Sequence, residues 1–253
     1  MSMYLVDSYR YQQLPLISLD DLKAYYTCNE SSGNVLNQAS DIGSTDAISD
    51  SDMIVSGNVT YSETGHVSGV NAIGFPSYDT NGNYIQANGS SSNWGFMTEA
   101  GAVFTLTFWF QNLHVNTQYT TADICGTNGS DSNDFQWRYG NASYGDTFKM
   151  FLSGNSDQAF TGSAVDDTDW HFYVMTWNED GGSDNFTFQL DNTTKQTKTL
   201  TTTNTTDPTT PLNFGDVSGN EPEGNLQLIT VWNRVLTDAE IAKLWNDGAG
   251  AEL

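Results

Sequence analysis

The sequence has few positive charges and no long apolar run. Only 8 of its 253 residues are Lys or Arg, against 31 Asp and Glu, which gives a formal net charge of −23. Proteins that bind nucleic acids or anionic lipid use Lys and Arg to neutralise phosphate, so this balance argues against both partners. No stretch reaches the ~20 apolar residues of a membrane-spanning helix, and no membrane span is expected.

Cysteines are also scarce: Cys28 and Cys125 are too few for a disulfide framework. Both stand in apolar, strand-like contexts, so we expect two buried free thiols, and a single bridge between them is the alternative. The first residues lack the basic start and continuous apolar run of a secretory signal peptide. Either the protein stays inside a cell, or it leaves by assembly into a particle or by another route. For the assembly route we expect it to be cytoplasmic before assembly and then to lie on a virion surface or other extracellular particle.

Residues 1–20 are predicted to form an N-terminal arm ahead of a single domain at 21–253, and Pro15 breaks the arm from the rest of the chain. An ordered arm must dock on something, either its own domain or a neighbouring subunit. Its side chains suit such a contact, being mostly aromatic or aliphatic: Tyr4, Leu5, Val6, Tyr9, Tyr11, Leu14 and Leu16.

From Leu22 onward, short runs of alternating apolar and polar residues are separated by Gly- and Asn-rich turns, as in Phe186–Leu190. Alternation with a period of two indicates strands that bury one face, which is typical of antiparallel sheets packed as a sandwich. The predicted strands are Leu22–Cys28, Val70–Phe75, Tyr84–Ala87, Val103–Gln111, Phe135–Tyr139, Phe148–Leu152, His171–Trp177, Phe186–Leu190 and Leu226–Trp232.

One helix is predicted, at 237–246, near the end of the chain. Thr237 and Glu240 have the spacing of a capping box, in which each side chain bonds the backbone of the other residue. Ile241, Leu244 and Trp245 form an apolar stripe that would pack this helix on the sandwich.

Five blocks of sequence then follow one another in a recognisable order: Leu22–Tyr26 with Glu30–Gly33, Asn71–Phe75 with Asn83–Ile85, Phe104–Phe110, Asp169–Trp177, and Val231–Ile241. They resemble the blocks of laminin-G-like domains of the concanavalin A-like superfamily, and the last block is the most specific. The resemblance covers residues 22–248. It implies an all-β jelly-roll sandwich of two curved antiparallel sheets, with loops at one rim and a concave face that relatives use for sugars or proteins.

Some members of this superfamily are glucanases, which need two carboxylates on one strand beside a cleft. Their E-x-D-x-x-E strand motif is absent, and the nearest acidic run, Glu179–Asp184, falls in a turn. The histidines His66, His114 and His171 are scattered. We predict a protein that is not an enzyme, with a glycoside hydrolase as the remote alternative.

Calcium is the cofactor considered, since relatives often hold Ca²⁺ at the loop rim. Asp79, Asn81 and Asn83 place three side-chain oxygens at alternate positions, which suits a hard cation. The alternative is a tight Asn-Gly turn capped by Asp79. The closing strand carries Gln227 where the family often has Asp, which weakens a transferred metal site.

A sugar site requires an exposed aromatic ring beside hydrogen-bonding side chains. Trp94 lies in a polar loop and is the first candidate. Trp137 with Arg138 is the second, although strand alternation also explains Trp137 as a core residue. Core packing accounts for the other five tryptophans.

Three functions remain as hypotheses. The first is a virion component, a capsid decoration or tail-associated protein, whose arm at 1–20 binds other subunits. It is favoured by the arm, the lone domain and the acidic surface. The second is a glycan-binding, lectin-like module at a cell or particle surface, and the third is the hydrolase.

Overall fold

The computed structural model describes residues 17–76, 82–113, 121–127, 134–140, 148–152, 158–160, 167–202, 204–216 and 222–253. Within these ranges the chain forms two antiparallel sheets. The eight-stranded sheet contains β1 (Leu22–Tyr26), β3 (Thr60–Glu63), β4 (Ala72–Phe75), β6 (Val103–Asn112), β11 (Trp170–Asn178), β12 (Phe186–Leu190), β13 (Gln196–Lys198) and β15 (Gly224–Trp232). The seven-stranded sheet contains β2 (Met53–Ser56), β5 (Tyr84–Ala87), β7 (Thr121–Gly126), β8 (Phe135–Gly140), β9 (Phe148–Leu152), β10 (Gln158–Phe160) and β14 (Asn213–Gly215).

The strand order of the eight-stranded sheet is β13-β12-β11-β6-β15-β4-β3. A bulge between Gln227 and Thr230 divides β15, so that one half pairs with β4 and the other with β1. The seven-stranded sheet runs β10-β9-β8-β7-β14-β5-β2. The two-sheet antiparallel sandwich predicted from the sequence is confirmed, and all nine predicted strands are present with ends that agree or differ by one or two residues.

The core lies between the sheets and is rich in aromatic rings. Phe108 stacks on Tyr173 at 5.0 Å between ring centres and meets Phe214 of the opposite sheet edge-on at 5.3 Å. Trp137 reaches across in the same way, 4.7 Å from Phe188. Such rings bury large apolar areas and fix which face of each strand points inward.

A second apolar cluster covers part of the outer face of the eight-stranded sheet, and the helix α1 (Asp238–Trp245) packs on it. The predicted helix and its capping box are confirmed: Thr237 Oγ1 accepts from Glu240 N, and Glu240 accepts from Thr237 N at 2.9 Å. Arg234 holds Glu240 with two hydrogen bonds of 2.7 and 3.0 Å. This guanidinium is the main reason that the pKa of Glu240 falls to about 2.

The last residues of the predicted arm contact the chain's own sandwich. Arg234 donates to the carbonyl oxygens of Ser18 and Asp20 at 3.0 and 3.1 Å, and Ile17 and Leu19 pack on the outer cluster. Residues 1–16 lie outside the described ranges, so docking of the arm on another subunit stays a prediction.

Cys28 and Cys125 are both buried and unbridged, which confirms the expected free thiols, and burial raises the pKa of each. Among the helices of the described ranges, none is long and apolar enough to cross a membrane.

Candidate functional site

Trp94 is not the exposed aromatic that the sequence suggested. Residues Ser91–Met97 form a 3-10 helix that is capped by the Ser90 side chain. This turn directs Trp94 into the core, where its exposed fraction is 0%. The prediction that Trp94 binds a sugar was wrong, because polar neighbours in the sequence do not keep a tryptophan at the surface when the loop coils back on the sandwich.

Trp137 and Arg138 lie on opposite faces of β8. Trp137 is fully buried and stacks on Phe148 at 5.5 Å, so the core interpretation is confirmed and its role as a ligand plate was wrong. Arg138 points outward from the seven-stranded sheet, pairs with Asp123 at 2.5 Å and lies 4.4 Å from the ring of Phe151. The structure therefore does not bring Trp94, Trp137 and Arg138 together.

Of the predicted calcium ligands, Asp79 and Asn81 lie outside the described residues. Asn83 is buried, and its Oδ1 accepts a hydrogen bond from Asn58 N at 2.6 Å. This oxygen thus binds the backbone of the loop between β2 and β3, and the calcium site stays a prediction. No group of three His, Cys, Asp or Glu suited to a metal occurs among the described residues.

A row of side chains on the outer face of the eight-stranded sheet combines an aromatic ring at the surface with hydrogen-bonding amides, as a sugar site requires. Register places Trp170 opposite Gln111, Gln111 opposite Asn225, Asn225 opposite Gly74 and Gly74 opposite Thr60. Their neighbours in the same strands, such as Phe110 and Leu226, belong to the inner core, so this row faces outward. We call these five residues, with Glu63 beside them on β3, the Trp170 strip.

Most side chains of the Trp170 strip are half-buried, neither core nor fully solvated. Asn225 Nδ2 donates to Gln111 Oε1 at 2.8 Å, and Gln111 Nε2 donates to the carbonyl oxygen of Thr168 at 2.8 Å. This chain of bonds orients both amides and turns Asn225 Oδ1 toward β4. A ligand would meet amide groups that are already fixed in direction.

Gly74 allows three neighbouring side chains to converge at the far end of the strip. A Cβ atom at this position would lie 2.9 Å from both Asn225 Oδ1 and Glu63 Cγ, and still closer to Thr60 Oγ1. Real Cβ atoms do not approach so closely, so any other residue at this position would have to displace these side chains. Thr60 donates its hydroxyl to the Gly74 carbonyl at 3.3 Å, which leaves its oxygen as an acceptor.

An aromatic stack borders the strip on its other side. His66 lies on Trp109 with ring centres 3.8 Å apart, Trp245 of α1 stacks on the same indole at 5.3 Å, and the ring of His66 is 6.2 Å from Trp170. His66 Nε2 donates to Gly248 O at 2.6 Å, because a carbonyl can only accept. Trp170 is thus held at the edge of a packed cluster and keeps part of its ring exposed.

Gln227 holds the loop that carries His66. Its Oε1 accepts from His66 N at 3.0 Å and Val67 N at 3.1 Å, and its Nε2 donates to Val70 O at 2.8 Å and Asn71 O at 3.1 Å. Gln227 is fully buried. The closing strand therefore has, at this position, a neutral side chain whose polar groups all bind the loop backbone.

His171 fixes the start of β11 next to Trp170. Its Nε2 pairs with Asp167 at 2.9 Å and its Nδ1 with Asp191, which also accepts from Phe172 N at 2.8 Å. Burial lowers the pKa of His171, but the hydrogen bonds to Asp191 and Asp167 more than offset this and raise it to about 9. A charged His171 therefore anchors this end of the strand.

The sequence does not single out Trp170, Gln111 or Asn225 as site residues, and it explains Trp170 by core packing. The alternation of β11 could have placed Trp170 on the same face as Phe172 and Val174, away from the inner core. Chemically, the strip can stack an apolar ring face on the indole and exchange hydrogen bonds along the amides.

A family model described as the concanavalin A-like lectin/glucanases superfamily matches residues 79–242, more than half of the chain. Solved structures of similar fold include the Trypanosoma rangeli sialidase in complex with sialic acid (TM-score 0.64, 12% identity, 92% of this chain and 34% of that chain). They also include the ligand binding domain of botulinum neurotoxin serotype D in complex with N-acetylneuraminic acid (0.59, 12%, 90% and 51%). The binding domain of botulinum neurotoxin DC, in complex with rat synaptotagmin II, is a third (0.61, 12%, 89% and 51%).

The chain thus spans about a third of the sialidase and about half of each toxin domain. Likeness at this level of identity shows a shared fold. No curated protein matches the sequence.

Proposed function

The chain belongs to the concanavalin A-like lectin/glucanase superfamily, and from that premise we propose that it binds carbohydrate on the Trp170 strip. The fold alone assigns no function, since related sandwiches serve several. One observation carries the proposal: a partly buried indole, Trp170, lies in one row with two amides, Gln111 and Asn225, whose directions are fixed by hydrogen bonds.

The shape of the strip favours an oligosaccharide. It crosses five strands from β11 to β3, which is about 19 Å when neighbouring strands lie about 4.8 Å apart. Its members are flat or short and stand in one line across the pleats. An extended chain of sugar rings can lie along such a row, stack one ring on Trp170 and give hydroxyl groups to the amides.

Two of the similar structures support a sugar ligand, since the sialidase was solved with sialic acid and the serotype D toxin domain with N-acetylneuraminic acid. The domain of botulinum neurotoxin DC was solved with a protein, synaptotagmin II. A protein ligand is therefore the competing outcome of a binding experiment.

We propose binding without turnover. Hydrolysis of a glycosidic bond requires two carboxyl groups on either side of the bond. The Trp170 strip contains one carboxylate, Glu63, among its described residues. A stable hydrogen-bonding surface with a single acid suits retention of a glycan.

The role as a capsid decoration or tail-associated protein, at the surface of a virion or other particle, remains a proposal of the same kind. It rests on the arm at 1–20, of which only residues 17–20 are described. Those residues pack on the chain's own sandwich. Carbohydrate binding and a place on a particle are compatible, because a decoration protein can also hold a glycan.

The experiment is a glycan array probed with the whole chain and with three variants. Truncating a large aromatic anchor weakens binding more than truncating most other contact residues, so we expect Trp170→Ala to weaken binding at least about tenfold. Gln111→Ala is expected to weaken it about fivefold, since a buried hydrogen bond is worth about 1 kcal/mol. The matched control is Gln86→Ala, a half-exposed strand glutamine on the outer face of the other sheet.

Binding that survives Trp170→Ala and Gln111→Ala but not Gln86→Ala would move the site to the seven-stranded sheet. No bound glycan at all would overturn the proposal. So would a bound protein that Trp170→Ala releases from a chain that holds no glycan.

A further inference from the structure

We infer that the Trp170 strip selects neutral and amine-bearing oligosaccharides and rejects acidic ones, and that Glu63 is the residue that sets this preference. The inference rests on the proposed function, because it names the ligand class of the same strip. It follows from the polar groups at the Gly74 end and from the distribution of charge.

The Gly74 end of the strip presents hydrogen-bond acceptors. Asn225 Oδ1 is turned toward this end because its Nδ2 donates the other way, to Gln111. The Thr60 hydroxyl already donates its hydrogen bond to the Gly74 carbonyl, so its oxygen can only accept from a ligand. Glu63, whose Cγ lies over the same glycine, adds a carboxylate that can only accept when it is ionised.

A ligand group that contacts these acceptors must therefore donate a hydrogen bond. Sugar hydroxyl groups and the ammonium group of an amino sugar can do so. The carboxylate of a uronic or sialic acid, or a sulfate ester, has no proton to give. It would leave three oxygen atoms without a donor and would place a second negative charge beside Glu63.

No Lys or Arg belongs to the strip among its described residues, so nothing there offsets the carboxylate. Three cations form ion pairs outside the strip: Lys195 with Asp238, Arg234 with Glu240, and Arg138 with Asp123 on the other sheet. The net charge of −23 acts in the same direction. At ordinary ionic strength the long-range repulsion of acidic ligands is screened beyond about 10 Å, so the preference depends mainly on the nearby carboxylate of Glu63.

This preference is opposite to what the similar structures would suggest. The sialidase and the serotype D toxin domain were each solved with a sialic acid, an acidic sugar. The chain shares their fold, but the acceptor-rich end of its Trp170 strip is suited to a different class of ligand.

The test is an array on which each backbone occurs in matched forms: lactose with sialyllactose, cellohexaose with its C6-oxidised glucuronic counterpart, and chitohexaose with its de-N-acetylated form. For the unaltered chain we expect each acidic member to bind about fivefold more weakly than its neutral partner. Glu63→Gln should remove most of that difference and should weaken binding of the amine-bearing hexamer about threefold.

The matched control is Glu252→Gln, which makes the same change of net charge at an exposed residue outside the strip. It should leave the ratios unchanged, and melting temperatures should confirm that both variants fold. If Trp170-dependent binding occurs but acidic and neutral partners bind alike, or if Glu63→Gln leaves the ratio unchanged, this inference is wrong and the proposed function stands. If no member of any pair binds, the proposed function fails and the inference fails with it.

Discussion

Replacement of Gln227 should lower the stability of the fold by an amount that the structure allows us to predict. It is fully buried, and its amide makes four hydrogen bonds to the backbone of the 66–71 loop. Gln227→Leu keeps the approximate volume but removes all four partners. A lost hydrogen bond of this kind costs about 0.5–1.5 kcal/mol, so the free energy of unfolding should fall by about 2–5 kcal/mol once partial rehydration of the loop is allowed.

Gln227→Glu is the more informative companion. The introduced carboxylate can still accept from His66 N and Val67 N, but its second oxygen faces two carbonyl oxygens, which have no proton to give. Burial and these carbonyls raise the pKa of the introduced group above its unfolded value. A group whose folded pKa is raised contributes stability that is present at low pH and is lost as the pH rises through the folded pKa. The deficit of Gln227→Glu should therefore shrink as the pH falls toward 4.

The assay is urea unfolding at pH 4, 5.5 and 7, with amide hydrogen exchange at His66 and Val67. A loss of 3 kcal/mol should lower the melting temperature by about 6–12 °C in a domain of this size. Gln189→Leu is the control, because this buried glutamine makes two hydrogen bonds within its own hairpin and should cost less. A loss under about 0.5 kcal/mol for Gln227→Leu, or a pH-independent deficit for Gln227→Glu, would refute the reasoning.

Three further predictions use other parts of the chain. The pKa of His171 is about 9, above its ordinary 6.5, so the stability it contributes should be complete below pH 6.5 and lost between pH 6.5 and 9. Urea unfolding should show the free energy of unfolding falling by about 2 kcal/mol across this range, and His171→Gln should abolish that fall. Cys28 and Cys125 should resist a thiol reagent at pH 8 in the native protein and both react in urea; rapid native labelling would contradict their burial. Calcium binding at Asp79, Asn81 and Asn83 predicts that EDTA lowers the melting temperature and Ca²⁺ restores it, and an unchanged melting curve would remove that site.

Local sequence patterns were sufficient to predict the sandwich. Alternation in Phe186–Leu190 determined the strand and its buried face, and Thr237 with Glu240 placed the helix. The other six strands of the described chain were missed because they are short or polar, as in Gln196–Lys198. Such segments become strands through pairing with neighbours rather than through their own pattern.

The site was harder to predict because it depends on contacts between distant residues. Asn225 and Gln111 bond each other across 114 positions of sequence, and only the register of β6 with β15 brings them together. Alternation gives the face of Trp170 but not its exposure, which depends on where the 66–71 loop places His66. The prediction for Trp94 was wrong because its polar loop, which suggested an exposed ring, coils back onto the core and buries it.

The central claim is that a glycan lies on the Trp170 strip, and NMR titration tests it most directly. The ¹⁵N-labelled chain would be titrated with the neutral oligosaccharide that binds most strongly on the array. We expect the side-chain amide signals of Gln111 and Asn225 and the indole signal of Trp170 to shift together and saturate, while Gln86 and Gln136 do not move. Shifts confined to Gln86, Gln136 or Arg138 on the other sheet, or no shift at saturating sugar, would contradict the account.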